Sequence, residues 1–547
     1  MQTLLLTLLI IISCTKKPDL NNNKILNLAL TADISTLDPA VSYDGASAQL
    51  VYQSLETLYE YDYKKRPYKL RPLLASRLPK IDKSRTKYLI KIKKGIKYHP
   101  DPSFKGKDRF LKAQDFINQF KRLAFIPTRS SGWWLIDGKI RGINKFRNKA
   151  GSDFNLFKKL KVSGLKIIDD HTFEITLIKP FPQMIFALAM SFTAPVPMEA
   201  IEFYNNDLST KMVGTGPFLM DNYNPLQGAL FKRFENYHGL LPEFIKVNYS
   251  LIKEDQTRWL NFLAGKIDIL NLPIDNFFSA IEDGKISKEL SQKGIRLEKA
   301  PTLTYWWISF NMEHPILGKN KLLREAIAHS INRKQYLKLF TNNTGILANS
   351  IYPPGVPGYD KSHRLPYNYD LKKAKELLSK AGYPNGEGLP EFNFDTRSTR
   401  AKSRQQAEFI KKEVAKIGIK IKIHLNTFPR FLTKAREGKL NFWYDGWTMD
   451  YPHAENSLQL LLKKNFPPGP NSTYYSNTKF ENLFKQFSTN TLSQKGLMEK
   501  MEEVVEEDLP WIMLYYDSKF ILYHRKIKNY VPSGLINNGL KYLKLGS

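Results

Sequence analysis

Residues 404–425 read RQQAEFIKKEVAKIGIKIKIHL, and they decide the fold class. Ala407, Ile410 and Val414 recur at helical spacing, and Gly418 follows where a helix would close on a left-handed residue. Directly after it, Ile419, Ile421, Ile423 and Leu425 alternate with Lys420, Lys422 and His424, as the two faces of a strand require. A helix feeding straight into a strand is the unit of an α/β fold.

The same alternation of elements extends in both directions. Residues 25–40 open as a strand and end in a turn at Pro39, and 45–62 read as a helix. KYLIKIKKGIKYH (87–99) alternates like a strand pair, and residues 110–124 have helical spacing at Phe116, Phe120 and Leu123. Strands are expected within 171–182, 228–239, 244–252 and 304–312, and a helix followed by a strand in 256–270. Residues 321–340 show one helical face through Leu322, Leu323, Ala326, Ile327 and Ile331. The helix 370–382 has both end signals, a capping Asp370 and a closing Gly382.

The chain has 547 residues, too many for a single hydrophobic core, so two or three domains are expected. Hydrophobic residues make up 42% and aromatic residues 13%, a globular composition. The formal net charge is +31, but the basic residues are spread along the whole chain and no nucleic-acid module is recognisable. A lysine-rich solvated surface explains that charge, and no nucleic-acid partner is expected. Neither the one cysteine nor the nine scattered histidines show metal-ligand spacing, so no metal or cofactor is expected. VGTGPF (213–218) lacks the lysine of a phosphate loop, and Pro217 sits where free N–H groups would be needed; it reads as a tight loop. No nucleophile elbow occurs, and no local pattern points to an enzyme.

MQTLLLTLLIIISC (1–14) is an apolar run suited to a signal segment, too short for a mature membrane span. Its close, Ile11-Ile12-Ser13-Cys14, resembles a bacterial lipobox, although Lys and Arg are missing from the leader. Residues 1–13 are then a signal peptide, Cys14 the lipidated terminus and 14–23 a tether. The protein is expected outside the cytoplasm, held at the cell membrane by that anchor.

Several segments, in order, resemble the family 5 extracellular solute-binding proteins, the oligopeptide-, dipeptide- and nickel-binding components of ABC importers. They are STLDPA (35–40), PLLASRLPKIDKSRTKYLIKIKKGIKYHPDPSF (72–104) with LKAQDFINQFKRL (111–123), KMVGTGPFLMDNY (211–223), FNMEHPILGKNKLLREAIAHSINR (310–333), YPPGVPGY (352–359) and DGWTMDYPHAEN (445–456). The resemblance implies a two-lobed periplasmic-binding-protein type II fold with an extra subdomain inserted in the first lobe. Lobe I would comprise 24–66, 188–300 and 516–547, the insertion 67–187 and lobe II 301–515. It implies a monomer that closes on a peptide and docks on importer permease subunits, without covalent chemistry.

Site residues follow from the same resemblance. Asp450 occupies the place of the aspartate that pairs with the ligand's α-amino group, with Gly446, Trp447 and Tyr451 around it; a turn cap is the plainer alternative. Candidates for the ligand carboxylate are Arg400, Lys402 and Arg404, in a loop before the helix, and His314; a third family position carries Tyr444 and no charge. Phe428 stands where a ring often faces a ligand side chain. Tyr43, in VSYDG (41–45), is expected at the lobe I edge of the cleft. The alternatives are another ligand on the same fold (a nickel chelate, haem, a sugar or a cell-wall peptide) or a sensor, receptor or chaperone-like role without transport.

Overall fold

The computed structural model describes residues 24–467, 469–489, 494–536 and 538–546. The signal segment, Cys14 and the tether lie outside the described residues.

Three main sheets organise the chain. In the first, Ile25–Leu30 pairs in parallel with Lys246–Leu251, followed by antiparallel Gly228–Arg233 and Phe218–Asn224. Leu26, Leu30, Phe231 and Val247 bury one side of it against Leu50 and Val51 of the helix Gly45–Ser54. In the second, Lys80–Ile81, Lys87–Lys91, Thr172–Thr176 and Leu165–Asp169 form an antiparallel sheet, and Phe116 and Phe120 of the helix Ala113–Ala124 pack on it.

The third sheet contains Ile269–Asn271, Trp511–His524, Ile295–Phe310, Phe442–Thr448, Phe392–Thr396 and Ile421–Leu425, with Ile346–Leu347 on the side of Trp511–His524. Period-two alternation separates its two cores. Tyr305, Trp307, Trp511 and Met513 face one, and Ile308, Phe310, Ile512 and Leu514 face the other. Helices Lys321–Ser330, Leu371–Lys380 and Ala401–Ala415 bury their apolar stripes in the second of these. Phe392–Thr396 runs parallel to both Ile421–Leu425 and Phe442–Thr448, the α/β arrangement that residues 404–425 predict.

Ile295–Phe310 and Trp511–His524 run antiparallel along nearly their whole length. Their register shifts at two places: a break lies between Pro301, opposite Ser518, and Tyr305, opposite Tyr516, and a further one-residue shift lies between Trp306, opposite Tyr515, and Trp307, opposite Met513. On one side of the break they pair with Ile269–Asn271, next to the first sheet, and on the other with Phe442–Thr448.

Three sequence readings need correction. Residues 87–99 contain one strand, Lys87–Lys91, and not a pair, because its ladder partners come from Thr172–Thr176 and Lys80–Ile81. Residues 45–62 hold a helix only to Ser54, and Tyr59–Tyr61 is a strand. Residues 321–340 form two helices, since the Asn332 side chain accepts from Gln335 N–H (3.0 Å) and starts a second helix, Arg333–Thr341. The Asp370 cap holds, accepting from Lys373 N–H at 2.9 Å.

The glycine loop 213–218 is a close backbone approach. A Cβ on Gly214 would lie 1.9 Å from the Ser54 carbonyl oxygen, and one on Gly216 would lie 2.8 Å from that of Gln53. Gly216 N–H donates to Ser54 O and His99 N–H to Gly214 O, both at 2.8 Å, joining the first helix to the inserted sheet's surroundings.

Candidate functional site

The carboxyl ends of adjacent strands collect the candidate residues. In open α/β sheets ligands bind outside such ends, where side chains of different strands converge. Thr396 and Thr448 close two parallel strands; Arg397 follows the first directly, and Asp450 comes two residues after the second.

Asp450 is half-buried. Its Oδ1 accepts from the Tyr43 hydroxyl of lobe I at 2.9 Å. Its Oδ2 lies 3.5 Å from Asn456 Nδ2, and its own N–H donates to Asn456 Oδ1 at 3.3 Å. The same Asn456 Oδ1 accepts from Trp447 Nε1 at 2.8 Å, so one amide fixes both the carboxylate and the indole. No ion pair to Asp450 occurs among the described residues. Burial pushes its carboxyl pKa up, and the hydrogen bonds from Tyr43 and Asn456 only partly offset this. Burial and the neighbouring Asp450 charge also raise the Tyr43 hydroxyl.

A cavity of about 220 Å³ opens beside this carboxylate, lined among others by Ser42, Tyr43, Phe192, Thr448 and Met449. Its walls come from four separate stretches of the chain, 42–73, 189–192, 448–450 and 534–542. Tyr43 is 59% exposed, tilted against Phe192 with ring centres 5.8 Å apart. Asp44 behind it caps the helix Gly45–Ser54, accepting from Ser47 N–H at 2.8 Å.

A second cavity of about 360 Å³ adjoins Gly446 and Trp447. Arg397 and Arg436 both line it, and neither was singled out by sequence reading. Arg397 Nη1 donates to the Gly446 carbonyl (2.6 Å) and lies 3.2 Å from Asp445 Oδ1. Its guanidinium stands 5.0 Å from the Phe428 ring centre and 5.7 Å from those of Trp306 and Phe431. Reading FNFDT (392–396) as a strand parallel to FWYDGWT (442–448) would have found it, since Arg397 then falls at the binding edge.

Other candidates are placed less centrally. Phe428 begins the helix Phe428–Arg436 and is 47% exposed over Arg397. Tyr451 is buried and does not wall either cavity; its ring stacks on Phe186 at 5.5 Å and 3°, and its hydroxyl donates to Glu455. Lys402 and Arg404 are not in a loop: the helix starts at Ala401, immediately after Arg400, and carries both as exposed residues on its first turn. His314 lines neither cavity. Its Nδ1 accepts from the N–H groups of Ile316 (3.2 Å) and Leu317 (3.1 Å) in a turn, and its ring faces Phe392.

The family model described as bacterial extracellular solute-binding proteins, family 5 Middle, matches residues 69–467. The glutathione-binding protein GsiB of Escherichia coli is 26% identical over 512 residues, covering 91% of this chain and 90% of that protein. Heme-binding protein A of Haemophilus influenzae is 25% identical over 541 residues, covering 95% and 92%. Among solved structures, the periplasmic binding protein DppA of Helicobacter pylori, in complex with the peptide STSA, superposes with a TM-score of 0.73 at 25% identity, covering 96% of this chain and 98% of that one.

Proposed function

This chain belongs to the bacterial extracellular solute-binding proteins of family 5, and on that premise we propose that it captures short peptides with a free α-amino group and delivers them to an ABC-type importer. One observation carries the reading: Asp450, a half-buried carboxylate at an interlobe cavity, has a hydroxyl and an amide for partners and no ion pair among the described residues. A carboxylate enclosed in this way is stabilised by a cation that arrives with the ligand. The α-ammonium of a peptide is such a cation, and Tyr43 and Asn456 hold the two oxygens ready for it.

Arg397 supplies the opposite charge. It is fixed on the Gly446 carbonyl, four residues before Asp450, and that stretch spans at most about 14 Å even when extended. A short peptide bridges those anchors, its carboxylate on Arg397 and its first side chain toward the cavity lined by Met449 and Phe192. Glutathione, named for the GsiB relative, carries both an α-ammonium and carboxylates and falls in the same class. Trp447 and Phe428 wall the Arg397 side.

Closure is the working step. Tyr43 to Asp450 and Phe186 to Tyr451 already link the first lobe and its insertion to lobe II, and ligand adds contacts to both sides. The register break between Pro301 and Tyr305, opposite 516–518, serves as the hinge, in keeping with the lobe limits at 300/301 and 515/516. The role is binding without catalysis. Export and lipidation at Cys14 belong to the same proposal and rest on the apolar run that ends in the sole cysteine. Among the described residues no helix is long and apolar enough to cross a membrane.

Native mass spectrometry of the purified protein tests the ligand. Release of short peptides with free amino termini is expected; a haem, a metal chelate or a sugar would refute the peptide reading. For the anchor, Cys14→Ser should move the protein from the membrane to the soluble fraction, and continued membrane fractionation counts against lipidation.

A further inference from the structure

Far from the strand ends that gather Asp450 and Arg397, lobe II holds a second group of ionisable side chains. The helix Gln494–Asp508 presents Glu502 and Glu506 one turn apart, on the same face. His363 meets them from the loop that follows Ile346–Leu347. Its Nε2 lies 2.6 Å from Glu506 Oε1 and 3.9 Å from Glu502 Oε1, and one ligand atom from each residue falls within 4.8 Å of the others. The side chains of His363, Glu502 and Glu506 are only 26, 5 and 12% exposed.

Charge does not balance there. No lysine or arginine pairs with either glutamate among the described residues, so a single imidazole faces two enclosed carboxylates. Burial, with the neighbouring Glu502 charge, raises Glu506 to about 7, and burial also raises Glu502. The supports around the group are already in place. Ser350 Oγ and Ile351 N–H both donate to Glu502 Oε1, the latter at 3.0 Å, and the His363 carbonyl accepts from Asn349 Nδ2 at 3.1 Å. Hydrogen bonds of this kind orient metal ligands.

We propose that His363, Glu502 and Glu506 form a binding site for one divalent cation of the zinc class. An imidazole nitrogen and two carboxylates are a borderline donor set that suits such an ion. Ligand atoms about 2.0–2.1 Å from a tetrahedral ion stand about 3.3 Å apart. The observed 2.6 and 3.9 Å bracket that spacing, so small side-chain shifts suffice. The ion takes the place of the hydrogen bond between His363 Nε2 and Glu506 Oε1 and supplies positive charge to the two carboxylates. It also ties the loop 349–364 to the helix. The Gly355 carbonyl of the same loop accepts from Tyr68 N–H (3.4 Å), so the ion stiffens a segment that touches both the helix Gln494–Asp508 and Tyr68.

Calorimetric titration of the full chain, stripped with EDTA, with zinc chloride alone tests the site without reference to any peptide. One saturable site per chain and a raised melting temperature are expected. Glu506→Gln and His363→Gln should each weaken binding at least tenfold and abolish the melting shift, whereas Glu503→Gln, on the exposed side of the helix, should change neither. Circular dichroism confirms that each variant is folded, and if Glu506→Gln is not, His363→Gln decides alone. Absence of saturable binding, or binding that survives in a folded His363→Gln or Glu506→Gln variant, overturns the site.

Discussion

Asp450→Asn is the most informative single change. The isosteric amide retains an oxygen for the Tyr43 hydroxyl at the position now 2.9 Å away and the backbone N–H bond to Asn456 Oδ1, and gives up only the long 3.5 Å contact from Asn456 Nδ2, so the shape of the cavity wall is preserved. What is lost is one negative charge in a closed site. Removing one partner of an enclosed, hydrogen-bonded charge pair costs about 2–5 kcal/mol of binding, or about 30-fold to several-thousand-fold in Kd. Stability should move the other way. The folded carboxyl pKa lies above its unfolded value, so the native state holds more protons between the two and gains stability as pH falls through that window; at neutral pH the ionised group destabilises the empty protein. The variant therefore binds peptide more weakly while melting at the same temperature or higher. The assay is a thermodynamic cycle by calorimetry, with a peptide and its N-acetylated form against wild type and variant. Acetylation should cost wild type the full amount and the variant almost nothing. A coupling energy below about 0.5 kcal/mol would refute the amine anchor, because uncoupled groups add within that margin.

Other consequences are checkable in parallel. Arg397→Met should weaken peptides with a free C-terminal carboxylate by about 10- to 150-fold, the worth of a charged hydrogen bond, and leave C-amidated peptides unchanged; equal losses for both would remove Arg397 from the site. Gly446→Ala places a Cβ 2.3 Å from Trp306 Cε3, on a ring stacked on Tyr444 and held by Asp517 (3.0 Å), so urea unfolding should show a loss of about 1–3 kcal/mol. An unchanged midpoint would mean that the indole yields freely. His99 and His453 are buried neutral with pKa values pushed down to about 4 by burial. Their folded values lie below the unfolded value, so the unfolded state takes up more protons and stability falls as pH drops from about 6.5 to 4, by up to about 3 kcal/mol for each histidine. Buried carboxyls with raised values act in the opposite sense. The readout is therefore the difference in acid slope between wild type and His99→Gln, in which the amide still donates to the Gly216 carbonyl; identical slopes would contradict a buried neutral imidazole.

Much of the architecture is legible locally because secondary structure is written at short range. The alternation 419–425, the Asp370 cap and the helical face at Phe116 and Phe120 each need only neighbours a few residues away, and each appears as read. The errors occur where a tertiary partner intervenes. Residues 87–99 alternate beyond Lys91, but only five of them find a ladder, and that partner is about 85 residues away. A helical stripe through Ile331 does not reveal that Asn332 will cap a new helix in preference to continuing the old one.

The site divides in the same way. Sequence by itself determined the class of fold and the family, and it offered Asp450 as a candidate, since motif order and side-chain type are local properties. It could not determine which cations share the cleft. Lys402 and Arg404 have the right charge, but their helix begins one residue after Arg400 and leaves both exposed; the His314 ring is used within its own turn. Arg397 owes its place to the parallel pairing of Phe394 with Phe442 and Asp395 with Trp443, which brings two strand ends together across nearly fifty residues of chain. Only tertiary structure decides such a meeting, because it is fixed by which strands share a ladder and on which edge they stop, and neither is encoded within the short window that determines a single helix or strand.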